Sequence, residues 1–236
     1  MEVVDAIKNR YSVRGFLNKE VEKDTVKKII ELAKMAPSGV NCQPWKIYVV
    51  MGDARDSLVA EALSKVDAGK MDKEEYAVYP TERPDWYKAR QRAAGFGLYK
   101  ALGIERDDMA GRLEQGRKNY EFFGAPVGIF ITVNKALGSN GWGYVGHMVQ
   151  TLCLAAVNEG LGTCLQEAWA GFPQLVRKHV DYGDDEILWC GIALGYPDEK
   201  HPANSFRTDR EDFDNYAKII ESVSYTHLTL PTSFLV

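Results

Sequence analysis

Apolar and polar positions alternate over residues 45–51, where Trp45, Ile47, Val49 and Met51 fall on one side and Lys46, Tyr48 and Val50 on the other. That period of two predicts a strand. Ahead of it, Val26, Ile29, Ile30 and Ala33 recur at helical spacing after Asp24, and the pattern stops at Ala36 because Pro37 disfavours helix at the preceding residue. Residues 127–133 form a short apolar run rich in β-branched side chains, the mark of a buried strand. From Trp142 to Asn158 charge is nearly absent, and Gly160 with Gly162 supplies a stop. A helix apolar around most of its circumference must be covered on every side, inside the fold or by a second subunit. Strand-like residues 163–166, a helix opened by Pro173 and running to Val180, and a buried run over 187–194 complete the core.

Between these elements, residues 53–118 are charged and mostly helical in pattern, with Tyr76, Tyr79, Trp86 and Tyr87 around a kink at Pro80 and Pro84. This stretch reads as an inserted helical lid. Helices mixed with a few separated strands predict an α+β fold in a single domain over residues 1–223, without repeats or a flexible linker. Residues 224–236 (SYTHLTLPTSFLV) differ in composition from all that precedes them and resemble translated adaptor sequence. They are expected to be a non-native, poorly ordered tail.

With 236 residues, 45% hydrophobic and 26% charged, the chain can build one substantial core. A formal net charge of -4 argues against a general nucleic-acid surface, so any anionic ligand must be met by a local cluster of cations. Cys42, Cys153, Cys164 and Cys190 are widely spaced and pair with no histidine at metal-ligand distance, which predicts no metal and reduced thiols in the cytoplasm. The opening MEVVDAIKNRYS has no apolar leader segment, and the longest apolar runs fall short of a membrane span.

Two stretches carry the candidate chemistry. In RYSVR, residues Arg10, Ser12 and Arg14 alternate, so in an extended segment they project the same way as two guanidinium forks and a hydroxyl. Near the other end, SFRTDRED supplies Arg207 and Arg210, and converging cations are what a phosphate needs where no glycine-rich loop holds it. In APSGVNCQPW, Pro37 stops a helix and Ser38, Gly39 and Asn41 leave amide groups free for a flat heterocycle. Together these two stretches suggest a flavin mononucleotide site.

A literal GxGxxG at Gly141, Gly143 and Gly146 is not preceded directly by a strand end, and close helix packing explains those glycines better. His147 reads as a satisfied core histidine, and Cys42 as a small packed thiol. No acid–base or nucleophile set stands out, so the hard chemistry would fall to a bound cofactor.

RYSVR, APSGVNCQPW, FFGAPVGIFI from Phe122, GLGTCLQEAW from Gly160 and ALGYPDEKHPANSFRTDRED resemble, in order, the FMN-dependent nitroreductase family over residues 1–220. LQEAWAGFP and NYEFFGAPVG are most similar to its nitrobenzoate nitroreductase-like group. The resemblance implies a central, mostly antiparallel sheet flanked by helices in an intertwined homodimer with FMN at the interface. It assigns Arg10, Tyr11, Ser12, Arg14, Arg207 and Arg210 to the phosphate and ribityl end. Pro37, Ser38 and Asn41 would approach from the partner, and Gln166, Glu167 and Ala168 would run beside the ring. Many relatives carry glycine where Ala168 stands. Phe123 and the aromatics of residues 76–87, Tyr76, Tyr79, Trp86 and Tyr87, are candidates to cover the acceptor. NADH or NADPH would donate electrons to a small nitroaromatic, quinone-like or related conjugated acceptor. Two alternatives stay open: a reductive dehalogenase or other flavin chemistry on the same fold, and a non-catalytic flavin-binding protein.

Overall fold

The computed structural model describes residues 1–221, so the tail over 224–236 lies outside the described residues. Four strands, β1 (Trp45–Met51), β2 (Val127–Asn134), β3 (Gly162–Gln166) and β4 (Glu186–Gly195), form one sheet in the order β1-β2-β4-β3. Every neighbouring pair is antiparallel. β2 is buried over all but its last residue, which is why it reads as a continuous apolar run rather than an alternating one.

The sheet has a core on each face. Val127, Ile129, Ile131 and Val133 point into the first, with α2 (Lys23–Ala33) and α6 (Gly138–Asn158). Phe130 points into the second, with α3 (Gly52–Asp67), α7 (Pro173–Val180) and the 3₁₀ segments Lys118–Gly124 and Glu167–Gly171. Each fully buried Ile, Leu or Phe in these layers stabilises the fold by about 1.5–3 kcal/mol. In β4 the alternation breaks. Leu188 joins the second core, yet Trp189 and Cys190 both face the first. The register slips there: Ile131 pairs with Cys190 and Thr132 with Leu188, which leaves Trp189 as the extra residue of a β-bulge. Glu186, buried at the start of β4, accepts from Lys46 Nζ at 2.8 Å, the Tyr48 hydroxyl at 3.0 Å, Gly183 N–H at 3.0 Å and the Thr132 hydroxyl. Burial alone would push this carboxyl up, and the donors outweigh it and hold it below its usual range.

α6 is not enclosed by its own chain, which leaves a second subunit of the two expected ways to cover it: Val145, Met148, Leu152 and Ala156 are buried, whereas Gly143, His147 and Gln150 make an exposed side. His147 is therefore not a core histidine, and Cys42 is an exposed thiol rather than a packed one. A Cβ on Gly141 would come within 2.9 Å of Leu137, so packing explains that glycine, but nothing lies within 4 Å of Gly143 or Gly146. Finally, the 53–118 stretch is not uniform. Leu58 and Ala62 bury α3 in the second core, α4 (Asp85–Ala101) has no buried residue, and Gln115 alone is buried in α5 (Met109–Arg117).

Candidate functional site

RYSVR leaves α1 (Val3–Asn9) in extended form and runs beside the start of β3, with Ser12 bridging Thr163 and Val13 N–H bonded to Thr163 O at 2.9 Å. Val13 and Gly15 turn inward, and Arg10, Ser12 and Arg14 turn the other way, as the alternation requires. They open into a cavity of about 620 Å³ that Tyr11, Arg207, Thr208 and Arg210 also line, with Lys8 from α1 and Ala94 and Leu98 from α4. The lining thus holds five cations and no carboxylate. Among the described residues, none of these five forms an ion pair.

Chain topology alone does not bring the two ends together. Asn204, 4% exposed, accepts from Arg14 N–H at 2.8 Å and donates its amide to Gly15 O at 2.7 Å and Asp198 O at 2.8 Å. Gly15 lies so close to His201 that a Cβ would stand 2.1 Å from its Cγ. Arg207 stacks 3.5 Å above the Tyr11 ring while donating to Asn204 O at 2.6 Å, and Arg210 folds onto the Thr208 hydroxyl at 2.7 Å. No periodic signal marks Asn204 or Lys8, and sequence reading passed over both.

Arg14 also lines a second, adjoining cleft of about 660 Å³ with Leu165, Gln166, Glu167 and Ala168. Glu167 and Ala168 begin the 3₁₀ turn Glu167–Gly171, whose leading N–H groups have no acceptor within the turn. Trp169 anchors that turn, fully buried, stacked 4.8 Å from Phe122 and edge-on to Phe130 at 5.2 Å. Gln166 donates to Asn119 O at 2.6 Å, and its buried carbonyl oxygen has no partner. Glu167 opens to the cleft, and desolvation by the surrounding walls raises its carboxyl above the usual 4.5. Burial likewise raises the phenols of Tyr79 and Tyr120 and pushes Cys164 up to about 11.

The opposite wall of the cleft is residues 71–79, with Met71, Glu74, Ala77, Val78 and Tyr79 in the lining. Tyr79, Tyr120 and Trp189 supply its aromatic surface. Trp86 and Tyr87, expected as acceptor cover, line neither cavity: Trp86 is 58% exposed and stacks under Arg90. Phe123, another such candidate, is buried in the second core and also lines neither. Its neighbours explain the difference, since Lys118–Gly124 turns back with positive φ at Phe122 and Phe123 and directs both rings inward.

Pro37, Ser38 and Asn41 lie apart from both cavities, over the exposed side of α6. Pro37 O sits 3.3 Å from His147 Nδ1, Ser38 Oγ accepts from Gln43 N–H at 3.0 Å, and Val40 between them is wholly exposed with φ +47°. No group of residues suited to hold a metal occurs among the described residues, and no helix among them is long and apolar enough to cross a membrane.

A model of the nitroreductase family matches residues 7–196. A 4-nitrobenzoate reductase of Nocardioides sp. (strain LMS-CY) is 36% identical over 224 residues, covering 93% of this chain and 91% of that protein. A 4-nitrobenzoate reductase of Pseudomonas putida is 35% identical over 205 residues, covering 87% and 89%. Among solved structures, the FMN and NADPH-dependent nitroreductase NfnB from Sphigopyxis sp. strain HMH matches with a TM-score of 0.90 at 35% identity, over 94% of this chain and 100% of that one.

Proposed function

The chain belongs to the nitroreductase family, and from that premise we propose that it is an FMN-dependent NAD(P)H oxidoreductase that reduces nitroaromatic and related conjugated acceptors. The observation that carries this reading is the pair of cavities joined at Arg14: one with five cations, Arg14 among them, and no carboxylate, the other a cleft lined by Tyr79, Tyr120, Trp189 and the Gln166–Ala168 segment. A set of unpaired arginines gathered from both ends of a net-acidic chain fits a phosphate group, and the adjoining cleft fits a flat ring attached to it.

In this role Lys8, Arg10, Arg14, Arg207 and Arg210 hold the phosphate, with Ser12 donating a hydroxyl beside them. The leading N–H groups of the Glu167–Gly171 turn serve as donors to the polar edge of the ring, and Trp169 fixes their orientation from below. FMN held by these residues would supply the hydride-transfer chemistry between a reduced nicotinamide and the acceptor. For a nitro group the balanced two-electron step is ArNO₂ + NAD(P)H + H⁺ → ArNO + NAD(P)⁺ + H₂O. The protein contributes position, charge and exclusion of water.

The proposal includes a homodimer in which Pro37, Ser38 and Asn41 of each copy approach the other's ring. It is supported by their distance from their own cavities, by the exposed side of α6 and by the wholly exposed Val40. The four unpaired cysteines support residence in the cytoplasm.

Absorption spectroscopy tests the reading. Protein loaded with FMN is expected to bleach on anaerobic addition of NADPH or NADH and to recover its colour when a nitroarene is added. A flavin that stays oxidised would identify a binder and not a reductase. Sedimentation of FMN-loaded protein as a monomer would remove the shared site.

A further inference from the structure

The β-bulge at Trp189 has a second effect beyond reversing the strand's faces. An extra residue takes main-chain groups out of the ladder, and two such groups on β4 are used by the neighbouring wall. Leu188 N–H donates to the Glu75 carboxylate at 2.9 Å, and Trp189 C=O accepts from the Tyr76 hydroxyl at 2.5 Å. The other oxygen of Glu75 pairs with Arg177 at 3.0 Å, and Tyr76 packs 4.7 Å from Trp142. Asp72 secures the wall's beginning, its carboxylate accepting from Leu175 N–H at 2.9 Å and its own N–H donating to Gly171 O at 3.0 Å. The wall is therefore latched at Asp72, Glu75 and Tyr76, and the residues it places in the cleft lining include Glu74 and Tyr79, beside Glu167 of the 3₁₀ turn.

The charged groups lining this cleft are Arg14, Glu74 and Glu167. Arg14 also lines the cation cavity, so a phosphate there engages its charge. Glu74 and Glu167 thus put two carboxylates in one lining with a single cation. We infer that the latched wall makes this cleft selective for neutral or cationic nitroaromatic acceptors over anionic ones. The inference rests on the reductase reading above and departs from the two relatives named for 4-nitrobenzoate, an anion.

Holoenzyme with FMN and NADPH tests it with two acceptors of nearly equal shape, 4-nitrobenzamide and 4-nitrobenzoate. Their intrinsic reactivities differ, so the informative quantity is how the ratio of their kcat/KM values changes between wild type and variants. Glu74→Gln is expected to shift the ratio toward 4-nitrobenzoate by about three- to tenfold, the Coulomb effect of one charge at several ångströms in a half-solvated site. Glu74→Lys is expected to shift it further in the same direction. Wild type in rising KCl should show the same trend, because screening weakens repulsion. A ratio unchanged within twofold across both variants and all salt concentrations would overturn the inference while leaving the reductase reading intact. Absence of turnover with either acceptor in FMN-loaded wild type would overturn that reading, and the inference with it.

Discussion

The cation cavity and the cleft meet at Arg14, but their charges are held in place by different means. In the first, side chains from residues 8–14 and 207–210 converge, tied by Asn204, whose three bonds join the Arg14–Gly15 backbone to the 198–204 turn, by Asp198 N–H on Gly15 O and by the stack of Arg207 on Tyr11. In the second, Glu74 sits on a wall docked to an irregularity of the sheet through Glu75 and Tyr76, and Glu167 on the 3₁₀ turn that Trp169 anchors. Grip on an anion thus depends on the meeting of the chain's ends, and discrimination among acceptors on that wall and turn. The two properties can be altered separately.

The largest break in that comparison should come from Asn204→Ala. Removing three buried bonds strands Arg14 N–H, while Gly15 O keeps Asp198 N–H and Asp198 O keeps His201 N–H, a loss of about 1–3 kcal/mol. A fall in Tm together with loss of FMN on gel filtration is the expected result, and a variant that keeps both would show that the two ends meet without this side chain. Arg14→Ala comes next: charge-assisted bonds of roughly 1.5–3 kcal/mol predict FMN affinity lower by about 10–100-fold in a fluorescence titration. An unchanged Kd would take Arg14 out of the clamp.

Tyr76→Phe sharpens the contrast from the other side. It keeps the ring against Trp142 and deletes only the bond to Trp189 O, worth about 0.5–1.5 kcal/mol. Acceptor KM should rise about two- to tenfold with FMN affinity unaltered, and a variant that loses FMN instead would show the cavities to be mechanically coupled.

The smallest effect is on pH. Glu167 has a carboxyl raised above 4.5 by burial, so it takes up a proton sooner than a free glutamate as pH falls toward that value. Its charge is then lost from the cleft. The kcat/KM ratio should move toward 4-nitrobenzoate between pH 7 and pH 5, and a flat profile would assign the repulsion to Glu74 alone. The same sign applies to folding: the native state binds the extra proton, so burying ionised Glu167 costs stability at neutral pH, and the cost is relieved on acidification.

How much of this was legible in the chain follows from the range of each signal. β1, β2 and α7 are local patterns, set by alternation, by a β-branched run and by Pro173 at a helix start, and their bounds follow closely. RYSVR carries its own alternation, so its phosphate-facing side was readable before its neighbours were known. Asn204 gives no such signal, because a polar residue in a turn looks alike whether it is solvated or spans three backbone groups. The slip at Trp189 is equally silent, being a relation between two strands. Of the aromatics read as a cover in 76–87, Tyr79 lines the cleft because Glu75 and Tyr76 dock its stretch, whereas Trp86 and Tyr87 do not line it.

The extra residue in β4 also makes the acceptor side of this protein modular. The socket belongs to the sheet and the plug to the loop, so a foreign segment between residues 71 and 79 that keeps a carboxylate and a phenol at the second and third positions after Lys73 should seat without rebuilding either core. Grafting there offers a route to new acceptor preferences in which the flavin-holding end of the molecule is inherited intact.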